Sequence, residues 1–571
     1  MNTIPNLIIP MRDGARLAAD VYLPSEPGPV PALLHRTPYG KQTPLWIKWA
    51  NYFAERGYAV VVQDVRGRWE SDGEWYPLVN EGPDGFDTIE WIASQPWCDG
   101  SVGMYGASYG GWTQWAAARE RPKPLRTMVS TAAVGRWFQE MQYYDGIFRL
   151  ESLQWLNLVG GRTTQDNSLI DWRKTFEHLP LRTIDQAINR PSQVWQDWLD
   201  HSTYDAYWRE IRLDDDFPGI DLPVLHITGW FDGDQPGALF FYRGMMSSSP
   251  AAAEQSLVIG PWDHAGTRVP HRTFGPLQFG ESALVDVLEL HVQWFDRHLR
   301  MRSADPMPRV RYFVMGPNEW LEDQAWPPAT SAAHDLYLAD DAGSGRLSEA
   351  VGDPASQGYT YDPRDPVRVP RDPDRQYRFT TFFETREDDD IERSGIECRS
   401  DVLVFETVPL EHELVVAGRS WLELFAESDC VDTDWIVWLS DHWPDGRSIV
   451  VAQGQLGARF RDSLEHPEPL VPGEVYRFRI ELSEVAYAFP SGHRVSVAVT
   501  SSCFPLFARN PNTGAPLGGD DHVKVARNRV HLGRAHPSRL ELPVLMRARL
   551  GATSSTDNAS DSPVASRRGT G

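Results

Sequence analysis

A serine framed by glycines is the residue in this chain best set for chemistry. Val102-Gly103-Met104-Tyr105-Gly106-Ala107-Ser108-Tyr109-Gly110-Gly111-Trp112 runs a short apolar strand into Gly-x-Ser-x-Gly and then into a helix. That strand–turn–helix context is what a nucleophile elbow requires. The turn forces the serine into strained backbone geometry, and the flanking glycines let strand and helix pack closely. Ser108 Oγ is then lifted to the carboxyl edge of a sheet. The next amide, Tyr109 N–H, points at a developing oxyanion. The bland alternative is a glycine-rich turn with a capping serine.

A serine hydroxyl is a weak nucleophile near neutral pH and needs a base oriented by a carboxylate. In this arrangement the chain order is Ser, then Asp or Glu, then His, each after a later strand. A strand over 222–228 is followed by Gly229-Trp230-Phe231-Asp232, and one over 255–259 by Gly260-Pro261-Trp262-Asp263-His264. Asp232 and His264 thus sit just past strand carboxyl ends, where α/β sites assemble. The alternatives are Asp232 or Asp234 as a helix cap, and His264 as a satisfied surface histidine. His226 is a rival base, but it lies inside a buried strand. Asp263 adjoins His264, and adjacent strand-end side chains diverge, so it is not given the orienting role.

These residues need a sheet to hold them. Residues 16–23, 30–35, 58–63 and 102–105 read as strands, the third as a continuous apolar run suited to a parallel sheet covered on both faces. Helical spacing marks 44–56, 85–94 and 109–119 between or after them. The alternation predicts a parallel α/β sheet, resuming at 222–228 and 255–259, with a helix over 287–299 and a last strand over 310–315. Residues 134–215 carry aromatics at helical spacing (Trp137, Phe138, Tyr143, Tyr144, Trp155, Trp172, Trp195, Trp198) and read as a helical insertion. Beyond about residue 330, strand-like segments at 402–405, 414–417, 420–425, 435–439, 475–480 and 494–500 predict an antiparallel β-sandwich. The acidic stretch 387–390 reads as a solvated loop, and the tail 551–571, with almost nothing to bury, as disordered.

Composition excludes other classes. Lys plus Arg number 55 against 79 Asp plus Glu, a net charge of −24, which repels phosphate backbones and argues against nucleic acid. No run approaches the roughly 18 apolar residues of a membrane span, and mean hydropathy is −0.43. Cys98, Cys398, Cys430 and Cys503 form no CxxC pair, so neither a zinc knuckle nor a disulfide framework is expected. There is no G-x-G-x-x-G, P-loop or H-E-x-x-H pattern. No cofactor or metal is therefore expected. The opening residues lack a basic n-region and a long apolar stretch, which predicts a cytoplasmic chain with reduced thiols.

Further motifs resemble the cocaine-esterase-like (CocE/NonD) hydrolases, relatives of X-Pro dipeptidyl-peptidases, α-amino-acid ester hydrolases and some cephalosporin acylases. They are Met11-Arg12-Asp13-Gly14 with the stretch 17–22, Arg36-Thr37-Pro38-Tyr39-Gly40-Lys41, Asp64-Val65-Arg66-Gly67-Arg68 with Ser71 and Gly73, and the three triad motifs. The resemblance spans nearly the whole chain. It implies an α/β-hydrolase core in two parts (1–133 and 216–329), an inserted helical cap (134–215), a C-terminal β jelly-roll sandwich (330–548) and a tail (549–571). It implies Ser108 as nucleophile, Asp232 as orienter, His264 as base, and the Tyr39 hydroxyl in the oxyanion hole beside the Tyr109 amide. A phenol is a competent donor there, and a His-Gly-Gly-Gly stretch after the 30–35 strand is lacking. Arg66 and Arg68 read as structural ties.

The expected substrate is a small-molecule ester or amide. The chain's tryptophans suggest a roomy aromatic pocket, although core packing accounts for most of them equally well. An α-amino-acid ester hydrolase or dipeptidyl-peptidase would need carboxylates to grip an ammonium, and Asp234, Glu140 and Asp145 are the candidates, with Trp230 beside them. A non-catalytic ligand-binding protein with a carbohydrate-binding jelly-roll is the alternative of another class. The sequence leaves a homo-oligomer open.

Overall fold

The computed structural model describes residues 2–302, 307–369, 391–519 and 521–546. The acidic stretch 387–390 and the tail 549–571 lie outside the described residues.

The first half is organised by a ten-stranded sheet. Its strands are β1 (Asn2–Pro10), β2 (Arg16–Leu23), β3 (Val30–Thr37), β4 (Ala59–Asp64), β5 (Cys98–Ala107), β6 (Leu125–Thr131), β7 (Val224–Phe231), β8 (Gln255–Asp263), β9 (Val310–Val314) and β10 (Glu319–Asp323). Their order in space is β1-β2-β4-β3-β5-β6-β7-β8-β9-β10. Pairing is parallel from β4 to β9 and antiparallel at both ends. Every residue of β4 is buried, as expected where helices cover both faces. Helix Pro44–Glu55 meets helix Val287–Leu299, and helix Glu81–Ala93 meets helix Tyr109–Arg119.

Sequence periodicity foresaw β2 to β5 and β7 to β9 but not β1, β6 or β10. Residues 310–315 are therefore not the last strand of this sheet, because β10 returns antiparallel beside β9. Helix Glu81–Ala93 starts earlier than the apolar spacing indicated. Its first turn carries buried Glu81 and Asp84, which bind charge rather than apolar surface. The fully buried Arg36 guanidinium lies 2.9 Å from Glu81 and donates to Gln63 at 2.7 Å, joining β3, β4 and this helix.

Residues 134–215 leave the sheet after β6. They form short helices, among them Trp137–Glu140, Ser152–Val159, Trp172–Phe176 and Gln193–Asp200, and a small hairpin pairing Tyr143–Tyr144 with Ile147–Phe148. Asp171, Ser192 and Asp205 cap three of the helices by accepting from first-turn amides. Trp172, Trp195 and Trp198 are buried.

From Ser331 to Leu545 the described chain is a β-domain of thirteen strands. The strands pair antiparallel apart from Ser344–Ser348 beside Leu403–Glu406. Its apolar core merges with the β8 and β9 end of the first sheet: Leu257, Ile259, Tyr312 and Val314 share one buried cluster with Val415, Trp435 and Tyr487. The backbone joins there too, Met315 N–H donating to Ala486 and Ala488 N–H to Met315.

Candidate active site

Ser108 stands between β5 and helix Tyr109–Arg119 with φ 61° and ψ −125°. A non-glycine residue with that φ is strained and is held only where its surroundings enforce it. Here the glycines do so. A Cβ on Gly106, itself at φ 148°, would sit 2.8 Å from His35 Nδ1, and one on Gly110 would sit 3.0 Å from the same ring. The Ser108 side chain makes no cap bond, so the capping alternative does not apply. Tyr109 is the first residue of the helix, and its N–H lies outside the helical ladder. Its phenol is tied away from the site, donating to Glu81 at 2.7 Å.

Asp232 follows β7 and is 5% exposed. Its Oδ2 accepts from Thr228 Oγ1 at 2.8 Å, and its Oδ1 from the Asp234 N–H at 3.0 Å. His264 follows β8, and its Nδ1 lies 2.7 Å from Asp232 Oδ1. Facing a carboxylate, Nδ1 carries the ring proton of the neutral imidazole, which leaves Nε2 with a lone pair. Burial and the Arg268 charge pull the His264 pKa down. Asp234 and Asp232 outweigh them, so it ends above the ordinary imidazole value.

The rival residues are accounted for. His226 is fully buried and bonds Gln255 at 3.1 Å, and burial lowers it to about 4. Asp263 Oδ1 accepts from Gly266 N–H at 2.6 Å within its own turn. Asp234 occupies the N-cap position of helix Gln235–Ser248 but makes no side-chain cap bond. Its Oδ2 instead lies 3.7 Å from His264 Nδ1. Asp232, Asp234 and His264 bring donor atoms within 4.8 Å of one another, and the short Nδ1–Oδ1 contact commits two of them to each other.

Tyr39 lies in the turn after β3 and is buried. Its hydroxyl accepts from Trp155 Nε1 at 3.1 Å. Burial pushes the phenol up to about 12, against the pull of Trp155, the Arg268 charge and the Ser108 hydroxyl, so it stays a donor at neutral pH. Arg68 fixes this turn. It donates to Pro38 O at 2.8 Å and Val159 O at 2.7 Å, tying the Tyr39 loop to helix Ser152–Val159. Arg66 pairs with Asp84 and Asp13. Both arginines are ties, as the sequence indicated.

A cavity of about 320 Å³ borders Asp232 where residues 134–215 meet the β-domain, and Glu140, Asp145, Trp230 and Glu481 face it. Burial, with Glu481 beside it, pushes the Asp145 carboxyl up to about 7. Glu140 is engaged by Arg136 at 2.7 Å. Trp230 also donates to Phe313 O at 2.7 Å and packs on Trp326. Asp234 is beside His264 and not in this lining. The tryptophans of 134–215 do not line this cavity either; Trp155 packs against Trp75 and Tyr109 of the first domain as well as Trp137 and Trp198 of its own segment.

Arg268 was missed. It is 4% exposed and donates to the His264 carbonyl at 2.6 Å and to His264 Nε2 at 2.9 Å. The only sequence signal is its spacing, four residues after the histidine.

Residues 13–266 match the X-Pro dipeptidyl-peptidase (S15 family) model, and residues 303–541 the X-Pro dipeptidyl-peptidase C-terminal non-catalytic domain. The cocaine esterase of Rhodococcus sp. (strain MB1 Bresler) is 33% identical over 95% of this chain and 98% of its own. The chain belongs to the cocaine-esterase-like (CocE/NonD) family of serine hydrolases. Two solved structures cover 95% of this cocaine-esterase-like chain and are themselves covered to 96%, each with a TM-score of 0.84. They are an α-amino acid ester hydrolase at 28% identity and an aminopeptidase from a marine sediment Thaumarchaeota archaeon at 27%. The cocaine-esterase-like fold is thus an S15-type α/β-hydrolase domain followed by a β-sheet domain. Among the described residues, no helix is long and apolar enough to cross a membrane.

Proposed function

We propose that this chain hydrolyses a small carboxylic ester, or an amide, through an acyl-enzyme on Ser108. Ser108 attacks the carbonyl while His264 Nε2 takes its proton, and Asp232 holds the ring and balances the imidazolium. The Tyr39 hydroxyl and the Tyr109 N–H receive the oxyanion. His264 then protonates the leaving group, and water repeats the sequence to release the acid. Residues 134–215 serve as a cap over the site, and the β-domain is read as a jelly-roll that closes the substrate cavity from the far side.

The observation that carries this reading is the 2.7 Å contact between His264 Nδ1 and Asp232 Oδ1, at the same carboxyl edge of the parallel sheet as a serine held at φ 61°. A non-catalytic binding protein has no use for that strain. The cavity's mixture of aromatic and charged walls suits a substrate with both characters. The test is hydrolysis of 4-nitrophenyl esters by wild type and Ser108→Ala. Loss of a nucleophile that acts as a unit with its base costs on the order of 10⁶ in kcat; a folded variant with near wild-type rate would overturn the assignment.

A further inference from the structure

The strands that lead to the nucleophile and to the proposed oxyanion donor part just below the site. β3 runs through Pro38 to Tyr39, and β5 runs to Ser108. Their register pairing ends at Leu34 with Met104. On its other side β3 stays paired with β4 as far as Thr37 with Asp64, and β5 stays paired with β6 as far as Ala107 with Thr131. The strand order also reverses here: from β3 the chain goes to β4 on one side and then to β5 on the other, which is where α/β sheets place their sites. Across the gap the Ser108 hydroxyl acts on the Tyr39 phenol.

His35 spans that gap at its base. It follows the last paired residue of β3 and is 1% exposed. Its Nδ1 lies 3.1 Å from the Tyr105 carbonyl of β5. A carbonyl oxygen only accepts, so Nδ1 carries the ring proton. Burial lowers the imidazole to about 4, so the ring stays neutral over the range in which His264 titrates. The ring is also wedged in place. It meets Trp46 at 4.4 Å and Tyr105 at 5.2 Å between centroids, and it fills the space that side chains on Gly106 and Gly110 would need. Its Nε2 has no hydrogen-bond partner among the described residues. A buried polar atom without a partner is costly, and a leucine would fill the space without that cost. What the imidazole adds is the Nδ1 donor to β5.

The two ends of the gap are otherwise anchored on their outer sides. Ser108 N–H donates to Thr131 O at 3.1 Å and Ala132 O at 3.0 Å, and Arg68 holds Pro38 O. Neither anchor crosses the gap. Building on the hydrolase reading, we propose that His35 is a positioning residue that ties β3 to β5 beneath the site and so sets the Ser108 hydroxyl against the Tyr39 hydroxyl. Buried under the elbow, it touches no substrate. Its effect falls on the oxyanion, which exists only on the way through the transition state, so it is read in kcat and not in KM.

The experiment measures kcat and KM for 4-nitrophenyl butyrate in His35→Asn and His35→Leu, each made in wild type and in Tyr39→Phe. The asparagine amide offers an N–H where Nδ1 stands, and leucine keeps bulk without a donor. His35→Leu lowers kcat by roughly ten- to hundredfold, the scale of a misplacement of about 1 Å, with KM within about threefold of wild type. His35→Asn keeps kcat within about threefold of wild type, because the donor is restored. In Tyr39→Phe the hydroxyl to be placed is gone, so His35→Leu costs less than about threefold more, a coupling that independent sites do not show. Where His35→Leu does not fold, His35→Met, flexible and equally without a donor, takes its place. Equal losses in His35→Asn and His35→Leu, a loss carried by KM, or the full loss repeated in Tyr39→Phe overturns the proposal. So does a Tyr39→Phe enzyme with unchanged kcat, or failure of both the leucine and methionine variants to fold, which would make His35 a core residue only. Fluorophosphonate labelling of wild type keeps the two readings apart. Ser108 labelled together with any of these outcomes removes only the role of His35, whereas unlabelled Ser108 removes the hydrolase reading itself.

Discussion

Gln235 and Glu484, 249 positions apart, exchange a pair of hydrogen bonds: Gln235 Nε2 donates to the Glu484 carbonyl at 2.9 Å, and its Oε1 accepts from the Glu484 N–H at 3.0 Å. Gln235 N–H in turn donates to the Asp232 carbonyl at 3.0 Å. The loop that carries Asp232 is therefore clamped to the connection between strands Tyr476–Glu481 and Val485–Phe489 of the β-domain.

Gln235→Leu keeps the volume and strands both Glu484 backbone groups. Each unsatisfied buried group costs about 1–3 kcal/mol. Urea denaturation should show a lower midpoint, and kcat should fall with it, because Asp232 is less well held. Unchanged stability and rate would show that the clamp is incidental.

Removal of the β-domain goes further. Leu257, Ile259, Tyr312 and Val314 would lose the neighbours with which they share one buried cluster, exposing an apolar face. Truncation at residue 330 should give insoluble protein. A soluble fragment 1–330 with full esterase activity would contradict this.

Tyr39→Phe removes the proposed oxyanion donor, the hydroxyl that accepts from Trp155 Nε1, and keeps the ring. We expect kcat to fall by roughly 10²–10³ with little change in KM. A change below about threefold would place the donor elsewhere.

The pH profile follows from the neighbours of His264. As the proposed base, His264 works only when neutral, and Asp234 and Asp232 hold its pKa above the ordinary value despite burial and the Arg268 charge. Activity should therefore fall on acidification from a midpoint above that of a free imidazole. Asp234→Asn, which removes one of the two carboxylates, should move the midpoint down. On the alkaline side the Tyr39 phenol, raised to about 12 mainly by burial, should cause no loss up to pH 10. An acid midpoint that does not move in Asp234→Asn would mean that another group sets it.

Much of this was legible in the residues. The elbow announced itself because glycine spacing, an apolar strand and a helix coincide around Ser108. Asp232 and His264 were readable from strands that end just before them. β6, Leu-Arg-Thr-Met-Val-Ser-Thr, was not, because its buried threonines and serine interrupt the apolar run. β1 was hidden for another reason: it is an edge strand with mostly exposed side chains and no buried face to impose a period. The first turn of helix Glu81–Ala93 packs by charge, pairing with Arg36 and Arg66, which no hydrophobic period records. The same holds for Arg268. Its contact with His264 Nε2 depends on a side chain folding back over its own turn, a relation that sequence spacing hints at but cannot define.

The central claim is that Ser108 is the nucleophile. Fluorophosphonate labelling followed by peptide mapping tests it most directly. The account predicts one adduct per chain, on Ser108, no adduct in Ser108→Ala, and loss of ester hydrolysis in step with labelling. An adduct on any other residue, or labelling that leaves hydrolysis intact, would contradict it.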